Sequence, residues 1–258
     1  MLVVLIVVCA FLGLCVGSFL NVVIYRVPLH ESIVKPRSHC PSCNAPIRER
    51  DNIPVLSWIA LRGRCRDCQA SISPRYLVVE IAGGALFAGA AARLGFNWDL
   101  PALLVLLAGL LALAYIDFEK LILPKSIVYV TLALVVALLL LDAAVTDQWR
   151  KLLVAAICSA AWFAVFFLMN LASPRILGFG DVRLALLLGF GLGWLGWRYV
   201  VLGFFAGNAI GLIISVALIA GRKIRRDQPV PFGVFLALGT ALAIYAGPEI
   251  LQPLQNLR

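Results

Sequence analysis

Eight apolar runs, near residues 2–25, 76–95, 101–117, 124–141, 152–171, 182–197, 199–220 and 231–247, constrain this chain more than any other feature. Each is roughly 16–24 residues long. At about 1.5 Å of rise per residue, such a run crosses the roughly 30 Å hydrocarbon core of a bilayer as a helix. Hydrophobic residues make up 62% of the 258 and charged residues only 14%, which excludes an ordinary soluble domain. The expected fold is an all-α polytopic membrane protein with about eight transmembrane helices. The first run lacks a basic leader and a small-x-small cleavage site, so it reads as an uncleaved span.

Charge sets the expected orientation. The connections 26–75, 118–125, 172–183 and 221–230 carry 17 Lys and Arg, against 5 on the opposite side. The positive-inside rule makes the first set cytoplasmic and puts both termini in the periplasm. The net charge of +9 then needs no nucleic acid to explain it, and membrane lipid is the expected surroundings. Trp98, Trp149, Trp194 and Trp197 fall near outer span ends, as an aromatic belt would. Gly13 and Gly17, like Gly203, Gly207 and Gly211, are spaced by four for close helix packing.

The large cytoplasmic loop holds four of the seven cysteines, as Cys40-Pro41-Ser42-Cys43 and Cys65-Arg66-Asp67-Cys68. Two C-x-x-C pairs supply four thiolates in tetrahedral reach of one Zn²⁺. Disulfides rarely persist in the cytoplasm, so zinc is favoured over two bridges. Four thiolates leave no open coordination position, so the expected ion is structural. His39 is a substitute ligand only if a cysteine fails. Cys9, Cys15 and Cys158 read as core residues.

Two carboxylates stand against apolar runs: Asp117, and Asp181 in Gly178-Phe179-Gly180-Asp181. Embedded acids are costly, by about 2.5–3.5 kcal/mol at a helix centre on insertion scales, and so point to function. Each also has a plainer explanation. Asp181 suits a helix N-cap, and Asp117 can pair with Lys120 three residues on. Their shared cytoplasmic depth on different spans favours an aspartyl dyad, with one proton shared, water activated and the scissile carbonyl polarised. Glu80, near the start of the second span, either balances Arg75 or supports the site. Asn21 reads as an interhelical hydrogen bond.

These motifs together resemble the prepilin peptidases, over essentially the whole chain. The opening motif is Gly17-Ser18-Phe19-Leu20-Asn21, running on to Arg26-Val27-Pro28. Ser73-Pro74-Arg75-Tyr76 then leads to Glu80. Ile116-Asp117 with Leu123-Pro124 resembles the first catalytic motif, and Gly178-Phe179-Gly180-Asp181 the second. Pro231-Phe232-Gly233 is similar to the family's last span. Lys125 stands where the family usually has an acid, and Val234 where it usually has a second proline.

The resemblance implies a bifunctional enzyme of the bacterial inner membrane. An aspartyl endopeptidase, with Asp117 and Asp181 catalytic and Gly178, Gly180 and Glu80 supporting, removes the short basic leader of type IV prepilins or type II secretion pseudopilins. The same protein N-methylates the new terminal residue with S-adenosylmethionine. Gly17, Ser18, Asn21 and Arg26 are the candidates for holding that donor, and Glu80, Glu49 or Asp51 for meeting the leader's charge. The implied division is a first transmembrane helix (1–25), a cytoplasmic four-cysteine zinc domain and candidate methyltransferase region (26–75), and a transmembrane peptidase bundle (76–258). Three rival readings remain: a peptidase without methylation, a proton- or cation-coupled transporter, and a non-catalytic zinc-bearing scaffold.

Overall fold

The computed structural model describes residues 1–173, 177–222 and 228–255. Arg175, Lys223, Arg225, Arg226 and Arg258, all part of the charge asymmetry, lie outside the described residues. The described chain is helical apart from turns and two isolated bridges. The helices are α1 (Leu2–Arg26), a short α2 (Leu56–Ala60), α3 (Pro74–Leu94), α4 (Leu100–Lys120), α5 (Lys125–Thr146), α6 (Trp149–Ala172), α7 (Phe179–Leu195), α8 (Trp197–Ala220) and α9 (Phe232–Gln255). Among the described residues, seven helices are long and apolar enough to span a membrane. The helix at the expected sixth span, α7, has 17 residues and is the shortest of the eight long ones.

The chain divides into two compact units, Met1–Phe96 and Asn97–Arg258. The second span therefore groups with the first, although the sequence boundary at 75/76 set it with the later spans. In the first unit α1 and α3 approach backbone to backbone. A Cβ on Gly17 would lie 2.8 Å from Glu80 Cα, and one on Gly13 would run into Gly83 O. The four-residue glycine spacing on α1 therefore has its counterpart in Gly83 and Gly84 on α3. In lipid, where apolar burial gives no advantage, such close packing is what holds helices together. α3 starts where Ser73 accepts the Arg75 N–H and Pro74 fills the first turn, a standard helix opening.

In the second unit α4 and α7 are the inner helices. Twelve of 21 residues are buried in α4 and eleven of 17 in α7, so both are apolar on every side. Small residues set the neighbours. Gly189 and Gly193 of α7 lie against Ser159 and Ala155 of α6, and Ser159 Oγ donates to Leu186 O at 2.8 Å. Gly203 and Gly207 of α8 meet Gly239 of α9. α7 passes straight into α8 through Gly196 at φ 131°, ψ 155°, a conformation open essentially to glycine alone. Trp98, Trp149 and Trp197 are exposed at helix ends, as a belt requires, but Trp194 is buried, with Lys151 Nζ 5.6 Å from its ring centre.

Candidate active site

The C-terminal end of α4 meets the first turn of α9. Asp117 lies in the last turn of α4 and is only 5% exposed. Its Oδ2 accepts the Val234 N–H at 3.3 Å. That amide belongs to the group at a helix start that has no partner within the helix and sits at the positive end of the dipole. A Cβ on Gly233 would stand 2.9 Å from the same oxygen, so only glycine lets α9 come this close. No ion pair joins Asp117 to Lys120.

Asp181 is the third residue of α7 and is half-buried, with Gly178 as the N-cap. Leu123 ties this helix start to the same region. Its Cβ is 3.1 Å from where a Gly180 Cβ would be, and its Cδ2 is 3.0 Å from that of Gly233. One leucine therefore wedges against the first turns of both α7 and α9. Through Gly233 and Leu123 the two acids of the second unit belong to one cluster of side chains. Such a pair, drawn from separate helices into partly desolvated surroundings, suits general acid–base chemistry.

The four loop cysteines gather as well. Their sulfurs lie within 4.8 Å of one another, with Cys40 and Cys68 Sγ at 3.8 Å. Tetrahedral zinc with bonds of about 2.3 Å places its sulfurs roughly 3.8 Å apart, so the donor set fits that ion. Each pair sits on the same turn, related by a shift of 25 residues. Cys40 N–H donates to Ala45 O and Asn44 N–H to Cys40 O; Cys65 N–H donates to Ala70 O and Gln69 N–H to Cys65 O. Asn44 (φ 57°) and Gln69 (φ 59°) are left-handed at equivalent places. The N–H groups of Cys43 and Ser42 donate to Cys40 sulfur and pull its thiol down to about 6, while the neighbouring sulfurs push the Cys43 thiol up to about 12. His39 Nδ1 instead donates to Arg37 O.

Comparison with known proteins places the chain in a family. The profile of the bacterial peptidase A24 N-terminal domain matches residues 11–94, and that of the type IV leader peptidase family matches residues 104–216. A prepilin leader peptidase/N-methyltransferase of Stutzerimonas stutzeri is 35% identical, over 95% of this chain and 92% of the relative. The chain belongs to the type IV leader peptidase family. Proteins of the same name from Burkholderia pseudomallei and Myxococcus xanthus are 37% and 40% identical, over 92% and 86% of this chain and 84% and 67% of those relatives. No solved structure matches. Its apolar helices and these relatives make this leader-peptidase family member a multi-pass inner-membrane protein.

The other residues singled out in this family member fall into separate places. Asn21 is fully buried and donates to Tyr76 O at 3.2 Å, the expected interhelical bond, while Gly17 packs on α3. Ser18 and Arg26 line a cavity of about 420 Å³ on another side of α1, as does Cys15, which is therefore not a core residue. Glu80 is buried and accepts the Val55 N–H at 2.7 Å. Val55 holds φ at 63°, strained for a β-branched residue, so Glu80 anchors an unfavourable turn. Asp51 is held by Arg66 through a bidentate pair, with Nη2 2.6 Å from Oδ1. The sequence reading missed the Val234 amide, although it noted that residue. The proline that the resemblance leads one to expect there has no N–H to donate, so valine gives Asp117 a partner that proline could not. Lys125, the other departure, opens α5 and is exposed.

Proposed function

We propose that this protein removes the short basic leader of type IV prepilins or type II secretion pseudopilins at the cytoplasmic membrane face, then N-methylates the new terminal residue. One observation carries the peptidase half: Asp117 and Asp181 reach the same region from two inner helices, and Asp117 is seated against the first turn of α9. An aspartyl dyad works with one carboxyl protonated and the other ionised, because two like charges sharing a site do not both ionise comfortably. The ionised carboxylate takes a proton from water as that water attacks the scissile carbonyl. The protonated carboxyl donates to the carbonyl oxygen. Collapse of the tetrahedral intermediate breaks the C–N bond, and a carboxyl proton passes to the leaving amine. Gly178 caps α7 and Gly180 lets its first turn lie against Leu123, while Glu80 supports the first unit. Both termini lie in the periplasm, as the charge asymmetry implies.

Zinc at Cys40, Cys43, Cys65 and Cys68 is structural and folds a loop too small to build its own core. S-adenosylmethionine supplies an electrophilic methyl group to the amine that cleavage exposes. The relatives' shared name supports this second activity. The test uses purified protein in detergent with a prepilin. Asp117→Asn and Asp181→Asn should each abolish cleavage; retained cleavage in either variant rejects the dyad. Transfer of a labelled methyl group to the processed product tests methylation separately.

A further inference from the structure

The loop between α1 and α3 is fastened to the two helices at separate points. At its start the buried Arg26 donates to Ser32 O and Pro36 O, each at 2.9 Å. At its middle Glu80 accepts the Val55 N–H. Glu80 lies six residues after Pro74, about 9 Å along α3, and stands level with Gly17 of α1. The middle of the loop therefore runs alongside the apolar length of both spans rather than beyond their ends.

Its backbone suits that depth. Where lipid replaces water, each unpaired backbone polar group is costly. Ile53 N–H donates to Ser57 Oγ, Val55 N–H to Glu80, Leu56 N–H to Pro54 O and Ser57 N–H to Ile53 O, while Pro54 has no N–H. The Leu56 bond closes a γ-turn centred on Val55, at φ 63° and ψ −52°, the rare and strained form. The side chains match. Ile53, Leu56 and Ile59 are 46%, 64% and 58% exposed, a run of large apolar groups that water disfavours.

A groove of about 520 Å³ lies between this segment and the spans. Pro54 and Leu56 wall it on one side, Phe11 and Leu14 of α1 and Ile81 and Ala85 of α3 on the other. Phe11 and Ile81 are exposed on their spans, so the groove shares walls with the lipid-facing surface. Above it the charge is positive. Residues 48–64 carry Arg48, Arg50, Arg62 and Arg64 against Glu49 and Asp51, and Asp51 is taken up by Arg66. Arg50 and Arg62 flank α2: Ser57 Oγ donates to Arg50 O and Arg62 N–H to Ile59 O, each at 3.0 Å. Both arginines are exposed and, among the described residues, in no ion pair. Their guanidinium forks suit phosphate oxygens.

We propose that residues 53–59 dip into the leaflet on the loop's side of the membrane, and that the groove they close against α1 and α3 holds an acyl chain of an anionic phospholipid, its phosphate at Arg50 and Arg62. Glu80 is then the anchor that keeps this segment in the bilayer.

The experiment places the full-length protein in nanodiscs of phosphatidylglycerol or phosphatidylcholine carrying a photoreactive diazirine in the acyl chain. Adducts are located by mass spectrometry, and zinc content checks the fold. Wild type should carry adducts on residues 53–59 as well as on the outer faces of α1 and α3. Ala85→Trp, which fills the groove, should lose the adducts on Leu14 and Pro54 and keep those on Ile59. Arg50→Gln combined with Arg62→Gln should lower the groove's preference for phosphatidylglycerol by about tenfold. No adduct on residues 53–59 of zinc-replete wild type, with the outer faces of α1 and α3 labelled, overturns the proposal, whether water, a second copy or a prepilin covers the groove instead. Adducts on Leu14 and Pro54 that persist in Ala85→Trp overturn the groove as the chain's seat. Equal labelling by the two lipids, unchanged in the double arginine variant, overturns the anionic headgroup.

Discussion

Gly233→Ala tests how the candidate active site is held. The added methyl would stand 2.9 Å from Asp117 Oδ2 and 3.0 Å from Leu123 Cδ2. The carboxylate must retreat by roughly half an ångström to reach ordinary carbon–oxygen contact near 3.4 Å. Its bond from the Val234 N–H, already 3.3 Å, does not survive that retreat. A hydrogen bond to a charged group contributes about 1.5–3 kcal/mol, and about 1.4 kcal/mol is a factor of ten. The expected kcat loss for prepilin cleavage is therefore about 10- to 100-fold, with KM nearly unchanged because leader recognition is untouched.

A graded series sharpens the test. Gly180→Ala meets Leu123 Cβ at 3.1 Å and should cost less. Gly178→Ala meets Asp181 Oδ2 only at 3.4 Å, and Gly178 has the unstrained angles φ −69° and ψ 148°. It should stay within about threefold of wild type, since the new methyl makes only ordinary contact. The assay is steady-state cleavage of a purified prepilin, followed by mass. Wild-type kcat in Gly233→Ala, or a larger loss in Gly178→Ala than in Gly233→Ala, would refute the reasoning.

The remaining predictions concern the first unit. Purified protein should carry about one zinc per chain, and the variant with all four loop cysteines changed to serine none, by elemental analysis. Glu80→Ala strands the Val55 N–H and should destabilise the turn by about 1–3 kcal/mol, seen as faster proteolysis near residues 53–56; Glu80→Gln keeps an acceptor and should lose less. Gly13→Leu forces α1 away from Gly83, and a disulfide engineered across the α1–α3 seam should no longer form in membranes. Asp51→Asn removes the charge from a pair that holds Arg66 beside the second cysteine turn, so zinc should leave faster in a chelator competition. Equal release rates would mean that the pair only decorates the surface.

Much of this molecule was legible along the chain because its strongest signals are local. Apolar length gives seven of the eight expected spans, α7 at 17 residues falling short, and the C-x-x-C spacing gives the four-sulfur cluster. Asp117 and Asp181 stand out because charge is rare in such surroundings. What stayed hidden depends on which segments meet. The spacing of Gly13 and Gly17 announced close packing but not that Gly83 and Gly84 would receive it. Gly233 looked like part of a motif, and nothing in its own identity revealed a carboxylate at van der Waals distance. Arg26 looked like a ligand-binding cation, yet its charge is committed to two backbone carbonyls. Trp194 sat at a span end, where a belt residue belongs, but burial among neighbouring helices decided its position.

The two matched cysteine turns have a consequence within the membrane. Between the end of α1 and the start of α3 run 47 residues. An ion joining Cys40 to Cys68 leaves about 20 of them on the direct path. By the logarithmic scaling of loop-closure entropy, that shortening favours the meeting of the two helices by about 0.8 kcal/mol. This amounts to a roughly three- to fourfold higher effective concentration of one span around the other. A metal held by these four cysteines would thus act as a splint for the glycine seam between α1 and α3. Metal starvation should then appear first as newly made chains whose first two spans have not paired, before any change at the carboxylates.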